Sequence, residues 1–263
     1  MAREIPLLYG SPKDRALFGP EDFLGWYSKN EKSKARKLKT LLLFFGHGTY
    51  SAARKAFKAK KTTTHDIKRL HASKAKINGK EVGLICFQGI GASNVVAFCE
   101  EFIALGTKNI ILAGAAGGLQ KKDYPGKFVL PIKAIRDEGT SYHYLKPGKY
   151  AFPDRQSAAA IEKALKKHGL DYAKGSTWTT DAPYRETIRK LQKYRKEGVL
   201  TVEMEASAVF ALANYRKIRA AGLFYVSDLL TEKKWKPHFG SKELKKAKGR
   251  LAKVLLETVK GLR

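Results

Sequence analysis

Four short segments hold the residues best able to do chemistry. Val202-Glu203-Met204-Glu205-Ala206-Ser207 sets two carboxylates where a β-like run gives way to a helical one. Ser227-Asp228 follows the apolar run Leu223-Phe224-Tyr225-Val226. Gly89-Ile90-Gly91 and Gly114-Ala115-Ala116-Gly117-Gly118 follow two further apolar runs. Carboxyl groups so placed can receive hydroxyl or amide donors, or carry a proton. In open α/β sheets, ligands bind beyond the carboxyl ends of the strands, where all four segments are expected to lie. Each also has a plainer use. Glycines after strands make tight turns, Glu203 and Glu205 suit the positive end of a helix dipole, and Asp228 suits an N-cap or an ion pair. Neither glycine-rich segment has the dinucleotide fingerprint, and neither ends in the Gly-Lys-Ser/Thr of a phosphate loop.

The elements that must position these residues alternate between short β-rich runs and longer helical patterns, which reads as α/β. Strands are expected over 41–45, 109–113, 128–135, 175–179, 199–202 and 220–226. Asn78-Gly79 is a strong turn signal and joins 74–77 to 81–87 in a hairpin. Helices are expected over 51–60, 92–105, 156–168, 185–196 and 204–215, with Gly169 ending the third. The stretch 114–118 is expected as a turn closing the strand at 109–113. No repeat, linker or low-complexity segment interrupts the pattern. One three-layer αβα domain with a mixed central sheet over 1–263 is the simplest account.

A chain of 263 residues with 43% hydrophobic content can bury a sizeable core. Its two cysteines, Cys86 and Cys99, sit in apolar stretches and read as reduced, buried thiols, which points to a cytoplasmic setting. No signal peptide is evident, and the apolar stretch at 41–45 is too short to span a bilayer. Lys+Arg number 52 against 24 Asp+Glu, a formal charge of +28. Such a field attracts polyanions, yet the lysines are spread along the chain and no nucleic-acid recognition motif accompanies them. In the basic run over 242–253, Leu244, Leu251, Val254 and Leu255 recur at helical spacing, which reads as an amphipathic helix with a solvated basic face.

Together the segments resemble a known family. Val-Glu-Met-Glu-Ala-Ser at 202–207 is similar to the ribose-binding motif of purine nucleoside and uridine phosphorylases. Arg136-Asp137-Glu138-Gly139-Thr140-Ser141-Tyr142-His143-Tyr144 and Trp178-Thr179-Thr180-Asp181-Ala182-Pro183-Tyr184-Arg185-Glu186-Thr187 resemble one branch of the same superfamily. The likeness is good over 80–230 and poor over the first forty residues. It implies that Glu205 accepts hydrogen bonds from the ribose hydroxyls, that Met204 packs beneath the sugar with Glu203 beside it, and that Asp228 protonates the departing base. It places Pro183 and Tyr184 at the base pocket, counts Thr180 and Arg185 among the substrate-binding residues, and puts Gly91, Ser93, Gly114 and Ala115 near the ribose and an anion. The reaction implied is cleavage of an N-glycosidic bond by phosphate as co-substrate, with no metal or organic cofactor, in a homo-oligomer (dimer or hexamer). Such cleavage makes the sugar oxocarbenium-like and pushes negative charge onto the base, so a proton donor and an oriented carboxylate suit it.

The sequence departs from the pattern at the phosphate site. Many phosphorylases of the superfamily carry an arginine where Leu112 stands here, and the threonine or serine of the turn is Ala115. A glycine–arginine phosphate motif survives only loosely as Gly10 to Arg15, with altered spacing. Arg15, His47, Arg54, Arg136 and Arg185 are the cations from which an anion pocket could be rebuilt, with Arg54 and Arg136 the first candidates. The segment 114–118 also resembles that of the methylthioadenosine/S-adenosylhomocysteine nucleosidases, which use water. A phosphorylase, a phosphate-independent nucleosidase and a non-catalytic binding or storage protein therefore all remain open. Asp228 favours purines, while the resembling branch is also linked to uridine.

Overall fold

A computed structural model describes residues 11–30, 38–62, 70–121 and 123–262. Part of the basic run at 29–39, and Gly10, lie outside them. Helix α1 (Pro20–Asn30) precedes strand β1 (Thr40–Phe44), in which Leu41 and Leu43 face one side of the sheet and Leu42 and Phe44 the other. That alternation within an unbroken apolar run is what a strand buried on both faces requires. Helix α2 (His47–Ala56) leads through the short β2 (Lys60–Lys61) to β3 (Leu70–Ile77) and β4 (Lys80–Phe87). The last two form the expected hairpin, and both turn residues, Asn78 and Gly79, have positive φ, as a type I′ turn demands.

Helix α3 (Ala92–Ala104) leads into β5 (Asn109–Gly118), then β6 (Phe128–Asp137) and β7 (Tyr150–Ala151). Helix α4 (Arg155–Lys167) is capped by the Asp154 side chain and ends at Gly169, whose φ is +59°. Next come β8 (Tyr172–Thr180), α5 (Ile188–Lys196), β9 (Thr201–Glu203), α6 (Ala206–Tyr215), β10 (Arg219–Leu230), β11 (Trp235–Pro237) and α7 (Lys242–Gly261). Helix α7 is the expected basic helix, with Leu244, Leu251, Val254 and Leu255 buried. No helix among the described residues is long and apolar enough to cross a membrane.

The strands form one mixed sheet in the order β11-β10-β6-β8-β9-β5-β1-β4-β3-β2. Strand β5 pairs with β1, β10 and β9, so the run β5-β10-β6-β8-β9 closes on itself while β1, β4, β3 and β2 extend as an open wing. Helices α3 and α6 cover one face, with Val95, Cys99, Val209 and Phe210 in its core. Helices α2, α4 and α7 cover the other, with Ala53, Ile161, Leu165, Leu251 and Leu255. These are the three layers of a single α/β domain. Cys86 and Cys99 are free and buried.

Two boundaries matter for the site and differ from expectation. The stretch at 114–118 is not a turn: β5 runs through it, and Gly117 and Gly118 pair with both β9 and β10. A Cβ at Gly117 would come within 2.5 Å of Leu230 Cδ1, 3.1 Å of Val202 Cγ1 and 3.3 Å of Asp228 Oδ2. The small residues let two neighbouring strands close over β5, which a turn would not need. Strand β10 likewise continues past Val226, through an irregularity in its pairing, so Asp228 is a strand residue opposite Gly117 and not a cap beyond the strand end. Helix α6 begins at Ala206, and Glu205 is its N-cap. The expected helix over 185–196 divides into a 3₁₀ turn, Pro183–Arg185, and α5, whose start is capped by the Thr187 hydroxyl. The expected helix over 51–60 begins at His47 and ends at Ala56, and Lys58 has a left-handed φ of 50°.

Candidate active site

Strand β9 delivers Glu203, and the N-cap of α6 brings Glu205 to Gly91 at the start of α3. The Glu203 Oε1 accepts from the Thr179 hydroxyl at 2.6 Å and the Thr177 hydroxyl at 3.3 Å. Its Oε2 accepts from the backbone N–H groups of Glu205 at 2.8 Å and Ala206 at 2.6 Å. Burial pushes the Glu203 carboxyl upward in pKa, opposed by these four donors. With both oxygens occupied inside the protein, Glu203 anchors the β9–α6 junction. Its donors come from β8 and from the start of α6, two of them the backbone N–H groups of Glu205 and Ala206.

Glu205 is buried, and its Oε1 accepts from the Gly91 N–H at 2.7 Å. Burial first, and the neighbouring Glu203 second, push its pKa up to about 8, against the pull of the Gly91 and Met204 backbones. Gly91 holds φ at +104°, which a side chain rarely tolerates, and so turns its N–H toward Glu205 at the start of α3. A carboxylate this poor in donors is stabilised by any pair of hydroxyls brought beside it. Met204, half-buried, lies between the two glutamates in sequence.

Asp228 is fixed by its own strand and the next. Its Oδ1 accepts from the Ser227 hydroxyl at 2.6 Å, and its Oδ2 from the Trp235 indole N–H at 2.8 Å. It lines a cavity of about 530 Å³ together with Pro183, Tyr184, Glu186, Leu230 and Trp235. Its lining mixes apolar side chains with Glu186, Asp228, Glu232, Lys233 and Lys234. Burial, then the charge of Asp228, push Glu186 up to about 7, with Lys190 opposing. Pro183 and Tyr184 line the same cavity as Asp228, and Tyr184 is 99% exposed. The glutamates of the β9–α6 junction lie outside this cavity's lining; Gly117, paired with both Val202 and Asp228, joins the two clusters.

The remaining residues divide. Thr180 ends β8, buried, and its hydroxyl accepts from the Ala182 N–H at 3.3 Å. Arg185 is exposed, as is Ser93 in the first turn of α3. Gly114 is buried and Ala115 exposed within β5. Leu112 is fully buried and presents no donor. The two first candidates for phosphate, Arg136 and Arg54, sit on different elements. Arg136 is buried, and its guanidinium donates to the Ser141 hydroxyl at 2.8 Å and to the carbonyls of Lys146 and Leu145 at 2.8 and 3.1 Å. With its Cζ 4.2 Å from the centroid of the Tyr142 ring, it clamps the loop between β6 and β7. Arg54 lies in the last turn of α2, seven residues and about 10 Å along the helix from the end that meets β1. Exposed His47 starts that helix, its ring 5.5 Å from that of His71. Two contributors went unnoticed in the sequence. Glu186 stood inside the quoted 178–187 motif without a role, and Trp235 sits in a lysine-rich stretch that carries no motif.

Comparison with known proteins shows the family and the fold. Residues 42–260 match the model of the phosphorylase superfamily. The chain is 30% identical over 146 residues to a guanosine phosphorylase of Halorubrum lacusprofundi, covering 56% of this chain and 61% of that protein. It is 27% identical over 170 residues to a DeoD-type purine nucleoside phosphorylase of Exiguobacterium sibiricum (63% and 71% covered), and 30% over 149 residues to a uridine phosphorylase of Treponema pallidum (52% and 58%). The match therefore spans about three fifths of the first and third of these relatives. The crystal structure of a purine nucleoside phosphorylase from Toxoplasma gondii in complex with immucillin-H superposes with a TM-score of 0.75 at 22% identity, covering 84% of this chain and 90% of that one. That likeness establishes the fold. An α/β domain with paired carboxylates where its strands converge is the class of protein that fold and site define. The chain belongs to the nucleoside phosphorylase superfamily.

Proposed function

We propose that this protein is a pentosyltransferase that cleaves the N-glycosidic bond of a purine or pyrimidine nucleoside with phosphate, releasing free base and ribose 1-phosphate. The observation that carries this reading is Glu205, a buried carboxyl held by the Gly91 N–H and raised to about 8. Two ribose hydroxyls would supply the donors it lacks, and the resulting hold would tighten as the sugar becomes electron-poor. The base would occupy the cavity beside Asp228, Pro183 and Tyr184. No metal or organic cofactor is needed. Two free, buried cysteines suit a reducing, cytoplasmic setting.

The names of the relatives support a phosphorylase, and include both purine and uridine enzymes. One observation favours a second reading, a nucleosidase that uses water: Leu112 is fully buried, and Arg136 is committed to its own loop. The two separate on one experiment. Base release from a nucleoside panel is followed with and without phosphate, and the sugar product identified. Phosphate-dependent release of ribose 1-phosphate supports the phosphorylase; phosphate-independent release of free ribose replaces it with the nucleosidase.

A homo-oligomer, at least a dimer, is part of the same reading. Leu17, 98% exposed, and Phe18 and Trp26, 67% and 63% exposed, present apolar surface on the N-terminal segment and α1. Sedimentation at micromolar concentration should show no lone monomer.

A further inference from the structure

Helices α2, α4 and α7 cover one face of the sheet, with α7 packed against both of the others. Their Lys and Arg number two on α2, four on α4 and seven on α7, against one Glu on α4 and two on α7. The helices of the opposite face are the reverse: α3 carries two Glu and no basic residue, and α6 carries no charge. Basic residues that look dispersed along the chain are thus divided unevenly between the two helical layers. Within α7 the helical period completes the division. Leu244, Ala247, Leu251, Val254 and Leu255 are buried, and Lys242, Lys245, Lys246, Arg250 and Lys253 are exposed on the other side. Steps of four and seven residues align Lys242, Lys246, Lys253 and Lys260 in one row, roughly 27 Å long at 1.5 Å per residue.

The acids of this layer are already engaged. Glu162 is held by Lys166 and Lys174, and Glu257 by Lys167 and Lys260. The five exposed α7 cations form no salt bridge among the described residues, and like charges three and four residues apart on a helix repel. A polyanion laid along the row would relieve that repulsion. Its kind follows from what the layer lacks. No large apolar side chain is exposed on α2, α4 or α7, so an anionic membrane would find no apolar face to bury beside the cations. The same absence leaves the bases of a single strand no aromatic platform. Lysine and arginine offer no acceptor to a ribose 2′-hydroxyl, the group by which RNA is distinguished. A straight row of donors fits the regular phosphates of a double helix. We propose that the α2–α4–α7 layer is a docking surface for duplex DNA, which it holds through the phosphates without reading base sequence. Such binding needs no recognition motif and stands independently of the nucleoside-cleaving reading.

The test follows the fluorescence anisotropy of a labelled mixed-sequence DNA duplex of about 20 base pairs, longer than the α7 row, across NaCl concentrations. Log K should fall against log salt with a slope of about −0.9 per phosphate neutralised, so five cations in contact give roughly −4 to −5. Lys242→Gln, Lys246→Gln, Arg250→Gln and Lys253→Gln together keep helix propensity; they should flatten that slope by about 3–4 and weaken binding on the order of 10²-fold at low salt. Lys108→Gln, Lys146→Gln, Lys193→Gln and Lys196→Gln remove the same net charge from exposed positions on other segments, and should change the slope by less than about 1. Equal effects of the two sets would mean that net charge alone attracts DNA and would overturn the proposal, as would wild type that binds no duplex. Tighter binding to duplex RNA, to single-stranded DNA or to vesicles of anionic phospholipid would give the layer a different occupant and overturn it likewise. Acetylation of lysines in the wild-type protein, read by mass spectrometry, does not depend on any variant folding. Duplex DNA should protect Lys242, Lys246 and Lys253 and leave Lys193 and Lys196 reactive; protection spread evenly over both sets sinks the assignment.

Discussion

Glu205 shows at one residue how a functional group is held against its own preference. Its pKa of about 8 lies above the ordinary carboxylate range because burial and Glu203 disfavour the charge. A carboxyl that is raised on folding stabilises the fold fully below its unfolded value, near 4.5, and that contribution is lost as pH rises through the folded value. Glu205→Gln keeps an acceptor for the Gly91 N–H but has no charge to bury. The variant should lose about 10²–10³-fold in kcat/KM, since an interaction that strengthens in the transition state is gone. It should also be more stable than wild type by about 1–2 kcal/mol at pH 8, with the difference shrinking toward pH 5. Thermal melts across pH check this; a stability gap that ignores pH would mean Glu205 is not the titrating group.

At the scale of elements, the site depends on β5 being thin enough for β9 and β10 to meet over it. Gly117→Ala would drive a Cβ into Leu230 and Val202 and press on Asp228 Oδ2, a cost of about 1–3 kcal/mol. Displacing Asp228 should reduce kcat/KM by roughly 10²-fold. Gly249→Ala on α7 is the control, because its Cβ would meet nothing within 4 Å. If the two variants behave alike, β5 is not setting the position of Asp228. The same strand shows what the sequence could and could not tell. The hairpin was legible because Asn78-Gly79 encodes its turn locally, and the basic helix because its apolar residues recur at helical spacing. Gly114 to Gly118 looked like a turn because glycine's local signal is identical whether it bends the chain or thins it; only the strands on either side decide. For the same reason Glu203 and Glu205 were legible as a pair, but not the donors that hold Glu203, since Thr177 and Thr179 arrive from β8. Arg136 looked available until its carbonyl partners nine and ten residues away claimed it.

At the scale of the whole molecule, the excess of positive charge acts on stability and on anions alike. A formal +28 on 263 residues repels itself, and the repulsion is screened as the Debye length falls from about 30 Å at 0.01 M salt to about 3 Å at 1 M. Added NaCl should therefore raise Tm, by on the order of 2–4 °C per kcal/mol of repulsion relieved. Any anion shares in that screening, so a rise in Tm with phosphate is not by itself a sign of a phosphate pocket. A pocket would show as a surplus over NaCl at equal ionic strength, because a ligand bound only by the folded state stabilises it further, by about 2.7 kcal/mol at a hundredfold excess over Kd. Buried Leu112 and committed Arg136 leave the backbone N–H groups and a basic side chain from another segment or another subunit to supply such a pocket. If about 10 mM phosphate lifts Tm well above matched NaCl, and a nucleoside adds to it, the phosphorylase reading gains its missing site. If phosphate and matched NaCl give the same Tm while base release proceeds without phosphate, the nucleophile is water and the charge is a property of the surface alone.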